Sequence, residues 1–219
     1  MAEIRAIVFD FDGVLANSEP LHLQSYQAVL DELGIPLDRD EYYSQYLGFD
    51  DVTAFRTIAA RHGRQWSDEE LSRILARKTV IFEDIVSSAD VLYPEAEACV
   101  RRLSEAMPIG IASGALRHEI VAILQQAGLT DSFRFIVAAG ETPASKPAPD
   151  PYRRAAELHA LPPAECVAIE DSRWGIESAK TAGLHCVGIT QTYPPHGLPG
   201  ADAIIDSLDE FTVELIAAL

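Results

Sequence analysis

IVFDFDGVLANSEP, residues 7–20, runs from an apolar, β-branched segment into Asp10, Phe11, Asp12 and Gly13. Residues 4–9 (IRAIVF) have the composition of a buried strand. Two carboxylates just past such a strand are costly, because burial and mutual repulsion both disfavour their charged forms. Taken alone, the pair reads as a turn or a helix cap. The rest of the chain decides between a cap and a site.

Outward from this stretch, apolar runs alternate with stretches of helical period. Residues 109–112 (IGIA), 135–139 (FIVAA), 166–169 (CVAI), 185–190 (HCVGIT) and 203–205 (AII) read as further strands. Helical patterns cover 94–105, 116–127, 151–160, 173–182 and 207–218. Gly128 and Gly183 read as helix stops, Pro94 and Pro151 as helix openers. Strands alternating with helices predict an α/β fold, a Rossmann-like parallel sheet with helices on both faces. Residues 17–87 break the alternation. They read as helices near 19–33, 50–62 and 67–87, punctuated by Gly34-Ile35-Pro36 and Gly63. The expected organisation is a core of 1–16 and 88–219 with a small all-helical insert at 17–87 after the first strand.

Composition bounds the function. Apolar residues make up 48% and charged residues 23% of 219, the balance of an ordinary globular chain. No apolar run is long enough to span a membrane, and MAEIRAIVFD shows no secretory signal. Seventeen basic against 34 acidic residues give a net charge of −17. Such a surface repels nucleic acid and anionic lipid, so neither is an expected partner. An anionic substrate would need local compensation. Cys99, Cys166 and Cys186 are odd in number and widely spaced, and read as buried reduced thiols of a cytoplasmic protein.

Ligands of open α/β sheets bind at the carboxyl ends of the strands. There the chain delivers Asp10 and Asp12, then Ser113-Gly114, then Lys146-Pro147, then Glu170-Asp171-Ser172. Carboxylates from two strands suit a hard divalent cation, and Mg²⁺ prefers oxygen ligands. The cation and Lys146 together give an anion a place to sit. The Ser113 hydroxyl and the N–H groups after it suit phosphate oxygens. An Asp can attack phosphorus to form an aspartyl-phosphate, and a second carboxylate can serve as general acid and then base. Singly, each motif has a plainer reading. Ser113-Gly114 would be an N-cap, Lys146 a solvated charge, and Glu170-Asp171 a cap for the next helix.

With DFDGVLANSEPLH, IASG, SKPAPD and EDSRWGIESAKTAG in this order, the chain resembles the haloacid dehalogenase superfamily. Within it, the resemblance is to the β-phosphoglucomutase and phosphatase subgroup, whose small helical cap follows the first motif. The resemblance implies Asp10 as nucleophile and Asp12 as acid/base. Ser113, Gly114 and Lys146 would bind the phosphoryl group. The metal set would be Asp10, the Asp12 backbone carbonyl and Asp171, with Glu170 supporting the site. By the same analogy the Lys146-Pro147 bond is expected to be cis. Asp12 argues against the dehalogenases and transport ATPases of the superfamily, which lack this carboxylate. The cap loop around Gly48-Phe49-Asp50 offers no lysine of the kind phosphonatases use.

Three departures from the family stand out. Asn17 occupies a position that is usually Asp, and Glu95 one that is usually Gly. Asp51 occupies the place of the arginine with which the mutases grip a second phosphate, while Lys78 matches a mutase lysine. Lys78 reads equally as a solvated helix residue, and His22 as a surface or core histidine or a group facing the site. Arg173 and Trp174 are candidates for the cleft wall, with packing the preferred role for Trp174. The expectation is a Mg²⁺-dependent phosphatase acting on a small phosphorylated metabolite of sugar-phosphate type. A monomer is expected, with a dimer as the alternative. The rivals are a sugar-phosphate mutase and a non-catalytic binding protein on the same scaffold.

Overall fold

The structure is a computed structural model and describes residues 3–46 and 49–219. The chain divides into two compact units. One comprises Met1–Ser18 and Val91–Leu219, the other Glu19–Asp90. The division falls slightly later at both crossings than the 17–87 segment. The two connecting segments are hydrogen-bonded to each other inside the first unit. Asn17 N donates to Val91 O at 2.8 Å and Tyr93 N to Leu15 O at 2.9 Å.

The first unit is built on six parallel strands: β1 Ala6–Phe9, β2 Ile109–Ala112, β3 Ile136–Val137, β4 Cys166–Glu170, β5 His185–Ile189 and β6 Ala203–Ile205. Their order is β3-β2-β1-β4-β5-β6. The chain therefore turns outward in opposite directions from β1 and β4. That reversal opens a crevice at the carboxyl ends of these two strands. β1 is buried throughout, as its unbroken apolar run requires. Phe9 meets Phe133 and Phe211 edge-on at 6.1 and 5.9 Å.

The helices of this unit are α5 Ala96–Ala106, α6 Arg117–Gln126, α7 Asp150–His159, α8 Arg173–Ala182 and α9 Val213–Ala217. α6 is capped at Leu116, not at Ser113-Gly114, whose hydroxyl instead accepts from Ala115 N within a turn. The cap of α8 is Ser172, whose side chain accepts from Gly175 N at 3.1 Å, so neither Glu170 nor Asp171 is spent on capping. Gly183 ends α8 at φ +96°, where a side chain would be strained. The expected helix at 207–218 is interrupted: a 3₁₀ turn at Leu208–Glu210 precedes α9. Thr212 restarts the helix by accepting from Leu215 N.

The second unit holds α1 Glu19–Glu32, α2 Arg39–Gln45, α3 Asp51–Arg61 and α4 Asp68–Ser88. Gly48 lies outside the described residues. α2 lies outside the helices that the sequence pattern predicts. Asp38 caps it, and Asp40 and Glu41 fill its first turn. Its seven residues are too short for a clear apolar period. Asp50 caps α3, and Ser67 with Glu70 forms a capping box on α4. Leu23, Tyr26, Leu30, Tyr42, Phe55 and Ile58 belong to this unit's core.

His159, at the end of α7, is a pH-sensitive element of the first unit. Its Nε2 donates to Ile7 O at 3.3 Å, its ring lies edge-on to Phe135, and its buried Nδ1 has no hydrogen-bond partner among the described residues. Burial holds the pKa below the ordinary value of 6.5; the Ile7 bond works against this and the Arg134 charge with it. The unfolded chain thus binds a proton more readily than the folded one, and stability is lost as pH falls below the unfolded pKa. The urea midpoint of the wild type is expected to fall more between pH 7 and pH 5 than that of His159→Gln.

Candidate active site

At the crevice between β1 and β4, Asp10, Glu170 and Asp171 each offer a carboxylate oxygen within 4.8 Å of the others. All three are buried, at 8%, 0% and 6% exposure. Asp10 directly follows β1 and Glu170 ends β4, so strand pairing brings together residues 160 positions apart. Lys146 reaches them from the turn before α7, and its peptide bond to Pro147 is cis. Its Nζ lies 2.8 Å from Asp10 Oδ1 and 2.6 Å from Glu170 Oε1.

The electrostatics follow from this crowding. Burial, then the Glu170 charge, raises the Asp10 pKa to about 7 against the pull of Lys146; Asp12 adds a smaller upward push. Burial and the charges of Asp10 and Glu170 push Asp171 well above the ordinary carboxylate range, with Thr192 and Lys146 opposing. For Lys146, burial disfavours the charge, but the two carboxylates outweigh it and the net shift is upward. One lysine does not neutralise three buried carboxylates. An all-oxygen, carboxylate-rich donor set of this kind fits a hard divalent cation.

Glu170 is held on both oxygens. Oε1 accepts from Lys146 and from the Tyr152 hydroxyl at 2.7 Å, and Oε2 from Ser172 at 3.2 Å. α8 leaves room for it because residue 175 is glycine. A Cβ there would lie 1.8–1.9 Å from the Glu170 carboxylate atoms. Gly13 does the same for Asp171: a Cβ would lie 2.0 Å from Oδ2, and φ is +74°. The Asp12 carboxylate is not in the three-carboxylate cluster; it accepts from the buried Ser18 hydroxyl. Gln191, its amide oriented by its partners, donates to the carbonyls of Gly13 and Val14 at 2.6 and 3.1 Å.

The remaining sequence candidates fall in several places. Ser113 is buried at the end of β2, and Gly114 is exposed with open space around it. Asn17 is exposed. Glu95 precedes α5 without a side-chain capping bond. Trp174 is 38% exposed and meets Tyr193 edge-on at 6.4 Å; Arg173 lies 4.3 Å over its ring, and both line a shallow groove of about 510 Å³ with Lys180 and Pro199. Tyr152, Ser18, Gln191, Thr192 and Gly175 had not been singled out. Ser18 and Gly175 lie inside the quoted motifs and Tyr152 just after one, while Gln191 and Thr192 follow β5; no pattern along the chain names their partners.

His22, Asp51 and Lys78 come together within the helical unit. Lys78 is 1% exposed, which excludes the solvated-helix reading. Its ammonium meets Asp51 Oδ1 at 2.7 Å, Oδ2 at 2.8 Å and His22 Nδ1 at 3.2 Å. An ammonium has three donors, so these partners saturate it. Asp51 also accepts from Tyr26 at 2.6 Å. His22 stacks on Phe82 with ring centres 4.3 Å apart. Burial and the neighbouring Lys78 charge depress its pKa to about 3, against the pull of Asp51.

Comparison with known proteins places the molecule in a class. Residues 4–183 match the haloacid dehalogenase-like hydrolases, and the chain belongs to that family. It is 28% identical over 218 residues to the β-phosphoglucomutase of Bacillus subtilis, covering 97% of this chain and 94% of that protein. It is 29% identical over 221 residues to hexitol phosphatase B of Escherichia coli, covering 97% and 96%. Its fold superimposes on the crystal structure of CbbY from Rhodobacter sphaeroides in complex with phosphate, with a TM-score of 0.87 and 27% identity over 99% and 100% of the two chains. No helix among the described residues is long and apolar enough to cross a membrane.

Two stability outcomes test this geometry. Gly175→Ala is expected to lose about 1–3 kcal/mol in urea unfolding, because the displaced Glu170 outweighs the roughly 1 kcal/mol that Ala ordinarily adds to a helix. In the helical unit, Asp51→Ala strands a buried ammonium and is expected to cost about 3 kcal/mol or more, exceeding Lys78→Met, which removes the charge itself.

Proposed function

We propose that the protein is a Mg²⁺-dependent phosphatase that hydrolyses a small phosphomonoester of sugar- or polyol-phosphate type through an aspartyl-phosphate on Asp10. The observation that carries this reading is the convergence of Asp10, Lys146 and the Glu170-Asp171 pair in the crevice between β1 and β4. Asp10 and Asp171 would hold the cation together with the Asp12 backbone carbonyl. When bound, Mg²⁺ would screen the carboxylates and the substrate phosphate from each other.

The chain's own groups account for the steps. Lys146 and Ser113 hold the phosphoryl oxygens. An Asp10 carboxylate oxygen attacks phosphorus, and the bond from phosphorus to the ester oxygen breaks. Asp12 gives its proton to the departing alkoxide. As a carboxylate it then takes a proton from water while the water oxygen attacks phosphorus. The Asp10–phosphorus bond breaks, and inorganic phosphate and the original Asp10 result. Ser18 orients Asp12 for both transfers, since its hydroxyl donates to that carboxylate.

A mutase would return the phosphoryl group to a sugar hydroxyl. Near-full-length similarity to a β-phosphoglucomutase favours that reading. Against it, Asp51 stands at the position of the mutase arginine, and the retained Lys78 spends all three donors on Asp51 and His22. The hydrolase is therefore the better reading.

A panel of sugar and polyol phosphates, assayed with and without Mg²⁺, tests the proposal. Phosphate release is expected to require Mg²⁺ and to fall at least about 10³-fold in Asp10→Asn. In Asp12→Ala, kcat is expected to fall by about 10²–10⁴. Primer-dependent interconversion of glucose 1-phosphate and glucose 6-phosphate with little phosphate release would establish the mutase instead. Wild type inactive in both assays would favour a binding protein.

A further inference from the structure

Lys146 carries three N–H donors. Its ammonium is ion-paired with Asp10 Oδ1 at 2.8 Å and donates to Glu170 Oε1 at 2.6 Å and to the Tyr152 hydroxyl oxygen at 3.3 Å. The lysine is therefore saturated, and any anion that it binds must displace one of the three. The carboxylate contacts are short and join opposite charges. The bond to Tyr152 is long and has a neutral acceptor. Tyr152 also keeps its own donor bond to Glu170 Oε1, at 2.7 Å, when the lysine leaves it. It then loses only one accepted bond. Exchange at Tyr152 is the least costly of the three.

The hydroxyl has two partners, Glu170 Oε1 as its acceptor and Lys146 as its donor. The Tyr152 ring is fully buried in the apolar cluster of α7, α8 and the sheet, where a phenylalanine would fill the same volume. The ring also lies 4.9 Å from the ammonium, a contact that phenylalanine would keep. Tyr152→Phe thus keeps the ring and deletes the hydroxyl, with both the acceptor for Lys146 and the donor to Glu170 Oε1.

We propose that Tyr152 is a positioning residue that holds the third donor of Lys146 while no phosphoryl group is bound and yields it to a phosphoryl oxygen. Phosphate then enters and leaves by exchange against a protein hydroxyl, and the buried ammonium is never left with an unmet donor. The inference rests on the assignment of Lys146 to the phosphoryl group made above.

The test titrates inorganic phosphate calorimetrically, at fixed Mg²⁺, into full-length wild type and Tyr152→Phe. KM and kcat are measured alongside for the best phosphomonoester of the panel. Without the competing hydroxyl, phosphate is expected to bind about fivefold tighter, the equivalent of one weak, long hydrogen bond. KM is expected to fall by a similar factor while kcat does not rise. Unchanged or weaker phosphate binding with unchanged or higher KM would overturn the proposal. Tyr152→Met, which also lacks the hydroxyl, must shift phosphate affinity in the same direction and serves if Tyr152→Phe does not fold. Wild type that neither binds phosphate nor releases it from any ester defeats the Lys146 assignment itself. Active wild type with unchanged affinity in the variants defeats only the exchange.

Discussion

One ammonium stands between Asp10 and Glu170, and much of the first unit's arrangement serves that contact. The parallel sheet puts β1 beside β4, so two carboxylate-bearing strand ends must lie together. The lysine between them offsets their mutual repulsion. Lys146 reaches that place because its turn leads directly into α7, where the first helical residues pack Tyr152 beneath it. Gly175 and Gly13 supply the complementary absence of bulk, each leaving room for one carboxylate. Even so, the compensation is incomplete: Asp10 and Asp171 both remain well above the ordinary carboxylate range. A divalent cation would supply the missing positive charge.

The helical unit solves a similar problem by a different route. Lys78 is as buried as any core residue, yet it is a full charge. Asp51 takes two of its donors and neutral His22 the third, so the unit closes its own charge account. In the crevice of the sheet, by contrast, the lysine's third partner is a neutral hydroxyl at long range. A buried lysine is thus locked in one place and exchangeable in the other. The difference lies entirely in the acceptors.

Much of this was legible in the chain. Period and punctuation were enough to find the sheet strands and the parallel α/β fold, because buried parallel strands must be continuous apolar runs. The motifs at the strand ends were legible for a related reason: catalytic groups in such folds follow the strands directly, so their chain positions betray their place. Taken alone, Ser113 reads as an N-cap, because serine before a helix favours that role locally. Here the turn closes on Ala115 and the helix starts later. α2 escaped notice through brevity, and the break before α9 because its residues keep an apolar period across it.

The sequence by itself determined which residues end the strands, and so that Asp10, Ser113 and the Glu170-Asp171 pair would share one rim. Backbone periodicity is a local property, and the strand-end rule turns it into position. Only the tertiary structure decided which acceptors each charge obtained. Tyr152 beneath Lys146, Ser18 on Asp12, Asp51 across Lys78 and Gly175 behind Glu170 are contacts whose partners are set in three dimensions. They depend on rotamers and register at the ångström scale, which no pattern along the chain encodes.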